Sequence, residues 1–315
     1  MVKILVTGGA GQIGAAFIKL LLKDSMNFVV VVDNLSTGKM SNLPAFPQER
    51  LSFFQIDVNN YEKLSKVMRQ HNFTYVFHYA AVVGVQRTLT KPLAVLKDID
   101  GIKNILHLSK ITGVKRIYYA SSSEVYGHAS EFPQNENTTP LNATLPYAIV
   151  KSTGEAYLKA YHQLYGLEYT IFRFFNTYGP RQSTDFVIPR FVEAALNHQT
   201  LFLYGDGSQT RTFCYVSDNA QACYNIFKKE IYVNDVVNIG SNDEVSIYRV
   251  AKMIIQAAGS SSEIVVKPPL KQGDTFRRLP DNTKMKHALA KELIPVERGI
   301  EKIIRHKIFS KKIAR

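Results

Sequence analysis

The chain has 315 residues, of which 45% are hydrophobic and 21% are charged, a composition that excludes collagen, intrinsic disorder and coiled coil. Its two cysteines, Cys214 and Cys223, form no CxxC pair. They argue against a disulfide scaffold or a cysteine-ligated zinc site and fit a reducing cytosol. The formal net charge of +13 points to an anionic partner: nucleic acid, an acidic membrane surface or a polyanionic small substrate.

The first half of the chain alternates short apolar runs with helical patterns. The predicted strands are Lys3–Thr7, Phe28–Asp33, Leu51–Gln55, Tyr75–His78, Arg116–Ala120 and Tyr169–Phe174. The predicted helices are Gly11–Lys23, Tyr61–His71, Val95–Thr112 and Tyr147–Tyr165. This alternation predicts an α/β fold with a parallel sheet covered by helices on both faces.

The length predicts about two domains, and the pattern loosens after residue 175. Loops are predicted at Asn176–Gln182 and Tyr204–Gln209. Phe213–Ser217 and Val236–Gly240 are candidates to return to the first sheet. We therefore predict a first domain over residues 1–175 and about 213–240. A smaller α/β C-terminal domain takes about 176–212 and 241–315.

A glycine-rich loop joins the first strand to the first helix. Gly8, Gly11 and Gly14 form GxxGxxG, which allows a tight turn and brings the helix N-terminus to a pyrophosphate. Asp33 ends the second strand, nineteen residues after Gly14. Its carboxylate suits the two adenosine ribose hydroxyls and would repel a 2′-phosphate, so NAD is favoured over NADP. The alternative for Asp33 is a turn residue.

Two segments contain residues suited to proton transfer. Tyr147 and Lys151 lie four apart, on one face of a helix. The lysine ammonium is expected to lower the pKa of the phenol, which then takes a proton from a sugar hydroxyl. A serine run, Ser121–Ser123, follows the fifth strand at the carboxyl end of the sheet, where ligands bind in such folds. The alternatives are a surface helix and a flexible loop.

Several segments together resemble the extended short-chain dehydrogenase/reductases of the NAD-dependent nucleotide-sugar epimerase/dehydratase family. They are TGGAGQIG, VVDNLSTG, FHYAA at 77–81, SSSEVYG, YAIVK, RFFNTYGPR at 173–181 and GDGSQTRTFCYVSD at 205–218. The similarity runs to about Lys286. It implies a Rossmann-type doubly wound sheet and a smaller substrate domain that binds a nucleotide-diphosphate sugar. It also implies transient oxidation of the sugar at C4, and Ser122, Tyr147 and Lys151 as the catalytic triad.

The same resemblance assigns the NAD contacts. They are expected at Gly8, Gly11, Gln12, Ile13, Gly14, Asp33, Asn34, Ser36, Thr37, Gly38, Asp57, Val58, Tyr79, Ala80, Ala81, Tyr147 and Lys151. Asp98 stands where the family commonly has Asn, so it retains acceptors but loses the amide donor.

Glu124 bears on which reaction follows the oxidation. Dehydratases and decarboxylases of the family carry glutamate there, whereas simple 4-epimerases carry a small or apolar residue. A carboxylate beside the sugar suits abstraction of the C5 proton or departure of a hydroxyl, so a dehydratase-type outcome is favoured, with Ser123 and Glu124 as further catalytic residues. Ser123 replaces the aspartic acid of many 4,6-dehydratases. A 4-epimerase and a uronate decarboxylase therefore stay open, and Glu124 is alternatively a solvated loop residue.

Substrate contacts are predicted at Arg87, Asn176, Arg211 and Arg277, since a guanidinium fork suits phosphate oxygens. A decarboxylase also needs a cation for the sugar carboxylate, for which Arg87 and Arg181 are candidates.

The positive charge is concentrated at the end of the chain. Residues 284–315 contain ten basic and three acidic residues, an excess of +7. One aromatic residue in this tail argues against single-strand nucleic-acid binding. Ile300, Ile303, Ile304 and Ile308 are expected to pack a terminal helix onto the substrate domain rather than to dock on a membrane.

Further expectations concern the setting of the protein. No apolar run is long enough to span a membrane, and we expect a cytoplasmic enzyme without a nucleic-acid partner. The resemblance implies a homodimer through the helices near 95–112 and 147–165. A non-catalytic NAD-binding regulator is the alternative from another class.

Overall fold

The computed structural model describes residues 1–45, 49–269 and 277–313, apart from the side chains of residues 85, 86 and 310–313. The strands are β1 Val2–Thr7, β2 Asn27–Asp33, β3 Leu51–Gln55, β4 Tyr75–His78, β5 Arg116–Ser122, β6 Glu168–Phe174, β7 Thr177–Tyr178, β8 Leu201–Tyr204, β9 Thr210–Thr212, β10 Cys214–Tyr215, β11 Asp235–Ile239, β12 Glu244–Ser246 and β13 Ile264–Lys267. The α-helices are α1 Gln12–Leu21, α2 Tyr61–His71, α3 Val85–Thr90, α4 Pro92–Leu96, α5 Asp98–Thr112, α6 Pro146–Tyr165, α7 Val187–Leu196, α8 Val216–Lys228, α9 Ile247–Ala258, α10 Thr283–Leu289 and α11 Val296–Ile313.

The central sheet has seven parallel strands in the order β11-β6-β5-β4-β1-β2-β3. The predicted Rossmann-type sheet is confirmed. The chain builds outward from β1 in one direction as far as β3, then from β4 in the other, so the winding reverses between β1 and β4. Ligands bind at such a reversal, outside the carboxyl ends of the strands.

Two apolar layers cover the sheet, one on each face. Helices α1, α8 and α10 form one layer, around Phe17 and Ile226, which are fully buried. Helices α2, α5 and α6 form the other, around Leu64 and Leu158. The valines of β2 alternate between these layers, which explains why that strand reads as a continuous apolar run.

A third apolar cluster lies outside the sheet. It joins α7, α9 and the first half of α11 to the short strands that follow β6. Ile300, Ile303 and Ile304 are buried in it, whereas Ile308 is 43% exposed. The predicted packing of the terminal helix is therefore confirmed for three of the four isoleucines. The predicted domain boundaries stay a prediction. Helix α10 lies in the predicted C-terminal domain, but it packs against α8 and the sheet rather than into this cluster.

Two predicted elements differ from the structure. Val95–Thr112 is not one helix, because α4 begins at Pro92, ends at Leu96, and gives way to α5 at Asp98. Val236–Gly240 does return to the sheet as β11, but Phe213–Ser217 does not. Its strand β10 pairs instead with β7, beyond the end of β6. Within the described residues, no helix is both long and apolar enough to cross a bilayer.

Candidate active site

The carboxyl ends of the sheet strands open into a cavity of about 520 Å³. Most of the residues predicted for the site line it. They are Gly8, Gly11, Gln12, Ile13, Gly14, Asp33, Asn34, Ser36, Thr37, Asp57, Val58, Tyr79, Ala80, Ala81, Arg87, Ser122, Ser123, Glu124, Tyr147, Lys151 and Asn176. The cavity thus brings together the ends of β1, β2, β4, β5 and β6.

The glycine loop forms one wall through close backbone contacts. Gly8 has a left-handed φ of +67°, and a Cβ there would lie 2.6 Å from the Ala80 nitrogen. A Cβ on Gly14 would lie 2.6 Å from the Gly8 oxygen. Because no side chain caps α1 at Gly11, the first N–H groups of this helix face the cavity wall without a side-chain partner. They form the kind of site that binds a phosphate.

Asp33 is held firmly at the end of β2. Its Oδ2 accepts a hydrogen bond from the Ala10 nitrogen at 2.9 Å, and its Oδ1 accepts one from the Leu35 nitrogen at 2.8 Å. The residue is only 7% exposed. Two backbone donors therefore fix the carboxylate at the cavity edge, where an adenosine ribose is expected. The bond from the Leu35 nitrogen is also the one that a turn-forming aspartate makes, so the ribose role stays a prediction.

Ser122, Tyr147 and Lys151 meet on the opposite wall, because β5 ends at Ser122 and the first turns of α6 pass beside it. Ser122 and Tyr147 both line the cavity, and the Ser122 hydroxyl lies near enough to the phenol to lower the Tyr147 pKa. The Lys151 Nζ donates to the Ala120 oxygen at 2.7 Å and lies 5.7 Å from the centre of the Tyr147 ring. The three side chains have the arrangement needed to move a proton at one substrate oxygen.

The predicted lowering of the Tyr147 pKa by Lys151 is wrong for this structure. Burial raises the pKa of Tyr147 above its ordinary value, and only the nearby Ser122 hydroxyl opposes that rise. The ammonium bonds a backbone oxygen rather than the phenol. Burial also lowers the pKa of Lys151 to about 8, with the charge of Asp98 acting in the other direction.

Two further titratable groups lie behind the triad. His78 is buried, bonds the Thr7 hydroxyl through Nδ1 at 2.8 Å, and has its pKa lowered to about 3 by burial and then by the charge of Lys151. It is therefore a neutral imidazole at physiological pH. Asp98 starts α5, accepts a hydrogen bond from the Val82 nitrogen at 2.6 Å, and has its pKa raised by burial. Its acceptors are used as the sequence indicated.

Arg278, which was not predicted for the site, contacts two residues of the cavity wall without lining the cavity itself. It is 3% exposed, and its Nη1 donates to the Ser123 oxygen at 2.8 Å and to the Ser123 Oγ at 3.3 Å. Its Nη2 forms an ion pair with the Glu124 Oε2 at 2.8 Å. A buried guanidinium is thus held against the two cavity residues that bear on the reaction outcome. The only sequence signal was its position beside Arg277.

Three predicted residues lie elsewhere. Gly38 packs against the backbone of the glycine loop and does not line the cavity. Arg211 lies on β9, also outside the cavity lining. Arg277 forms a two-pronged pair with Glu244, at 2.9 and 2.6 Å, and is 41% exposed. Their roles as cofactor or substrate contacts stay predictions.

The remaining substrate candidates line the cavity, Arg87 from α3 and the others from the segment after β6. The Asn176 Oδ1 is buried without a hydrogen-bond partner among the described residues, as expected of an acceptor whose partner is a ligand. Arg87 forms an ion pair with Asp185 at 2.8 Å, and both residues line the cavity. Arg181 also lines it and donates to the Asn42 oxygen at 2.8 Å.

Comparison with known proteins agrees with this geometry. Residues 4–240 match the model of the NAD dependent epimerase/dehydratase family. A putative UDP-glucose 4-epimerase of Methanocaldococcus jannaschii is 33% identical over 96% of this chain and 97% of its own. A UDP-N-acetyl-alpha-D-glucosaminuronate decarboxylase of Bacillus cytotoxicus is 37% identical over 90% of both chains. The crystal structure of a UDP-glucose 4-epimerase from Thermotoga maritima superposes with a TM-score of 0.91 at 33% identity, covering 99% of this chain and 100% of that one.

The residues of the cavity fit NAD. Gly8, Gly11 and Gly14 put bare backbone on the cavity wall, and the uncapped N-terminus of α1 beside them suits a pyrophosphate. The fixed carboxylate of Asp33 suits a ribose. The chain is an NAD-dependent enzyme, and it belongs to the NAD-dependent epimerase/dehydratase family.

Proposed function

We propose that this enzyme decarboxylates a nucleotide-diphosphate uronic acid through transient oxidation of the sugar at C4. The observation that carries the proposal is the contact of the buried Arg278 guanidinium with Ser123 and Glu124. Among the relatives that match nearly the whole chain, the decarboxylase of Bacillus cytotoxicus, at 37%, is more similar than the putative 4-epimerase, at 33%.

The first step uses the triad on the cavity wall. Tyr147 takes the proton of the C4 hydroxyl, and Ser122 hydrogen-bonds the same oxygen. NAD, when bound, supplies the acceptor for the hydride that leaves C4. Lys151 places a positive charge 5.7 Å from the centre of the Tyr147 ring, with its ammonium bonded to the Ala120 oxygen. A C4 ketone forms next to C5, which carries the carboxylate.

The second step follows from the chemistry of a β-keto acid. The bond from C5 to the carboxyl carbon breaks, its electron pair moves into a C4–C5 enolate, and carbon dioxide leaves. Arg278 attracts the sugar carboxylate when the substrate binds. Glu124 repels the same carboxylate, and this repulsion is relieved when the group leaves as carbon dioxide. The enolate then takes a proton from water at C5, the hydride removed in the first step returns to C4, and Tyr147 gives its proton back to the C4 oxygen.

Two features of the site argue against dehydration, the outcome that the sequence favoured. One oxygen of Glu124 is held by Arg278, and Ser123 has no ionisable group with which to protonate a leaving hydroxyl. Both observations favour decarboxylation over dehydration. Glu124 does line the cavity, so dehydration stays the second candidate.

A panel of substrates tests the proposal. The purified enzyme is incubated with NAD and with UDP-N-acetylglucosaminuronate, UDP-glucuronate, UDP-glucose or dTDP-glucose, and product masses are measured. We expect the uronates to lose the mass of carbon dioxide and Tyr147→Phe to abolish that loss. Loss of the mass of water would favour dehydration, and an isomer of unchanged mass in NMR spectra would favour a 4-epimerase. No change with any substrate would favour the non-catalytic regulator.

We also propose a homodimer formed through α4 and α6. Ile149 and Leu164, 40% and 68% exposed, lie fifteen residues apart on α6, close to a whole number of turns. Leu93 on α4 is 81% exposed, and α4 packs beside α6. Such an apolar surface is typical of a subunit contact. Leu164→Glu is expected to convert dimers into monomers in analytical ultracentrifugation.

We propose a cytoplasmic location for the enzyme. Cys214 and Cys223 are both free and buried, as expected in a reducing compartment. Fluorescence microscopy of a tagged full-length chain tests this, and recovery in a membrane or exported fraction would contradict it.

A further inference from the structure

A second buried ion pair lies beneath the active-site loop and contacts no reactant. Glu155 and Arg173 are each 2% exposed. The Arg173 Nη2 donates to the Glu155 Oε2 at 2.7 Å, and its Nε donates to Oε1 at 3.0 Å. Neither residue lines the cavity. Two parallel hydrogen bonds of this kind fix the orientation of both groups.

Glu155 connects the helix of the triad to the strand of the triad. It lies four residues after Lys151 and eight after Tyr147 on α6, so the three side chains share one face of the helix. The Ser121 hydroxyl, next to Ser122 at the end of β5, donates to the Glu155 Oε1 at 2.6 Å. One carboxylate therefore holds the two elements that carry the serine and the tyrosine–lysine pair.

Arg173 continues the connection to the loop of Glu124. Its Nη1 donates to the Tyr126 hydroxyl at 2.8 Å, with the guanidinium 4.9 Å from the centre of that ring. The Tyr126 hydroxyl donates to the Asn238 Oδ1 at 2.8 Å, and the Asn238 Nδ2 donates to the Asp281 oxygen at 3.2 Å. Tyr126 lies two residues after Glu124 and Asp281 three residues after Arg278, so the network connects the two segments that carry the Arg278–Glu124 pair.

We propose that Glu155 and Arg173 are positioning residues that fix the Ser122 hydroxyl relative to the Tyr147–Lys151 pair. The inference rests on the catalytic roles proposed above for those three residues. A buried ion pair is weak evidence for stability, because its desolvation offsets its attraction. Its value here is geometric, since a displacement of about 1 Å at a reacting group lowers the rate on the order of 100-fold.

The chain provides a control in a second arginine–glutamate pair that also involves β6. Arg116 and Glu168 pair β5 with β6 at 3.0 Å, at the amino ends of the strands and away from the cavity. Arg116 is as buried as Arg173, at 2%, whereas Glu168 is 32% exposed. Glu168→Gln therefore removes a carboxylate from a less buried pair with a buried arginine, without touching the active-site loop.

The experiment compares Glu155→Gln, Tyr126→Phe and the control Glu168→Gln in the full chain with NAD. With a nucleotide sugar that the wild type converts, Glu155→Gln is expected to lower kcat about 100-fold while KM stays within about threefold. Tyr126→Phe, which removes one hydroxyl from the network, is expected to lower kcat about tenfold. The control is expected to retain kcat within about twofold.

Amide hydrogen exchange of residues 121–127 gives a second readout that does not depend on turnover. Exchange there is expected to rise in Glu155→Gln and Tyr126→Phe and not in the control. If Glu155→Gln does not fold, Tyr126→Phe decides the matter. A wild type that converts no nucleotide sugar refutes the proposed function, and the exchange comparison then decides the positioning role alone. If a folded Glu155→Gln or Tyr126→Phe variant keeps the kcat of the wild type and shows unchanged exchange, the inference is overturned. An equal loss of kcat in the Glu168→Gln control also overturns it.

Discussion

Lys151 is a buried ammonium, and replacing it makes a quantitative test of the active-site electrostatics. The residue is 4% exposed, and burial lowers its pKa from 10.5 to about 8. At pH 7 this difference corresponds to about 3 kcal/mol of lost folding stability, since each pKa unit is worth about 1.4 kcal/mol. Lys151→Met removes that cost together with the hydrogen bond to the Ala120 oxygen.

The pH dependence separates the two effects. Below pH 8 the lysine is protonated in both the folded and the unfolded chain, and the folded wild type bears the full cost. Between pH 8 and 10.5 the unfolded chain binds the proton and the folded chain does not, so wild-type stability rises with pH. The lost hydrogen bond is independent of pH. The stability of Lys151→Met relative to wild type is therefore expected to fall by about 2–3 kcal/mol from pH 7 to pH 10.

Urea denaturation of the cofactor-free proteins at a series of pH values measures this difference. Lys159→Met is the matched control, because Lys159 is an exposed lysine on the same helix and its removal takes no charge from the cavity. A stability difference between Lys151→Met and wild type that stays constant from pH 7 to 10 would refute the reasoning. So would a change of equal size in the Lys159 variant.

Three further substitutions, two of them with a control substitution, test other parts of the site. Asp33→Asn is expected to reduce the ratio of NAD affinity to NADP affinity by about tenfold or more, because the amide carries no charge to repel a 2′-phosphate and a difference of about 1.4 kcal/mol is a factor of ten. Calorimetric titrations measure both affinities, and an unchanged ratio would contradict this prediction. Gly14→Ala places a Cβ 2.6 Å from a backbone oxygen of the loop and is expected to abolish measurable NAD binding. Gly113→Ala, where φ is +74° and no atom lies within 4 Å, is expected to cost about 1 kcal/mol of stability and leave binding intact. Arg278→Gln is expected to lower kcat about 100-fold or more, because hydrogen bonds to charged groups are worth about 1.5–3 kcal/mol each. Arg277→Gln, the control, is expected to change kcat by less than about threefold. Equal effects on kcat would show that the contacts of the two arginines do not determine their importance.

The sheet could be predicted from the sequence because its information is local. Tyr75–His78 has the predicted bounds, since a strand buried on both faces reads as an apolar run between turn residues. Leu51–Gln55 also has the predicted bounds, although it is a partly exposed edge strand. The glycine loop, Asp33 and the Tyr147–Lys151 pair could also be placed. Each of them follows or belongs to a regular element whose end faces the cavity, so short-range spacing was sufficient.

Features that depend on distant parts of the chain could not be predicted. The interruption of the helix at Lys97 has no glycine or proline of its own, and it places Asp98 where its carboxylate accepts from Val82. The four-residue spacing alone led to the expectation that Lys151 lowers the Tyr147 pKa. Spacing gives the distance along a helix, but the pKa depends on burial and on which acceptor the ammonium meets. That acceptor, Ala120, lies 31 residues away.

The adjacent arginines Arg277 and Arg278 show where sequence reasoning ends. Both have the same charge and the same candidate ligands, and the sequence analysis assigned the substrate role to Arg277. In the structure Arg277 pairs with Glu244 in a partly exposed position, whereas Arg278 is buried against Ser123 and Glu124. Because residues 277–279 belong to no helix or strand, no hydrophobic periodicity indicates which of the two side chains is buried and which is exposed. A contact across 154 positions decides it, and that contact links the segment of Arg278 to the loop of Ser123 and Glu124, for which we propose a role in the choice of reaction.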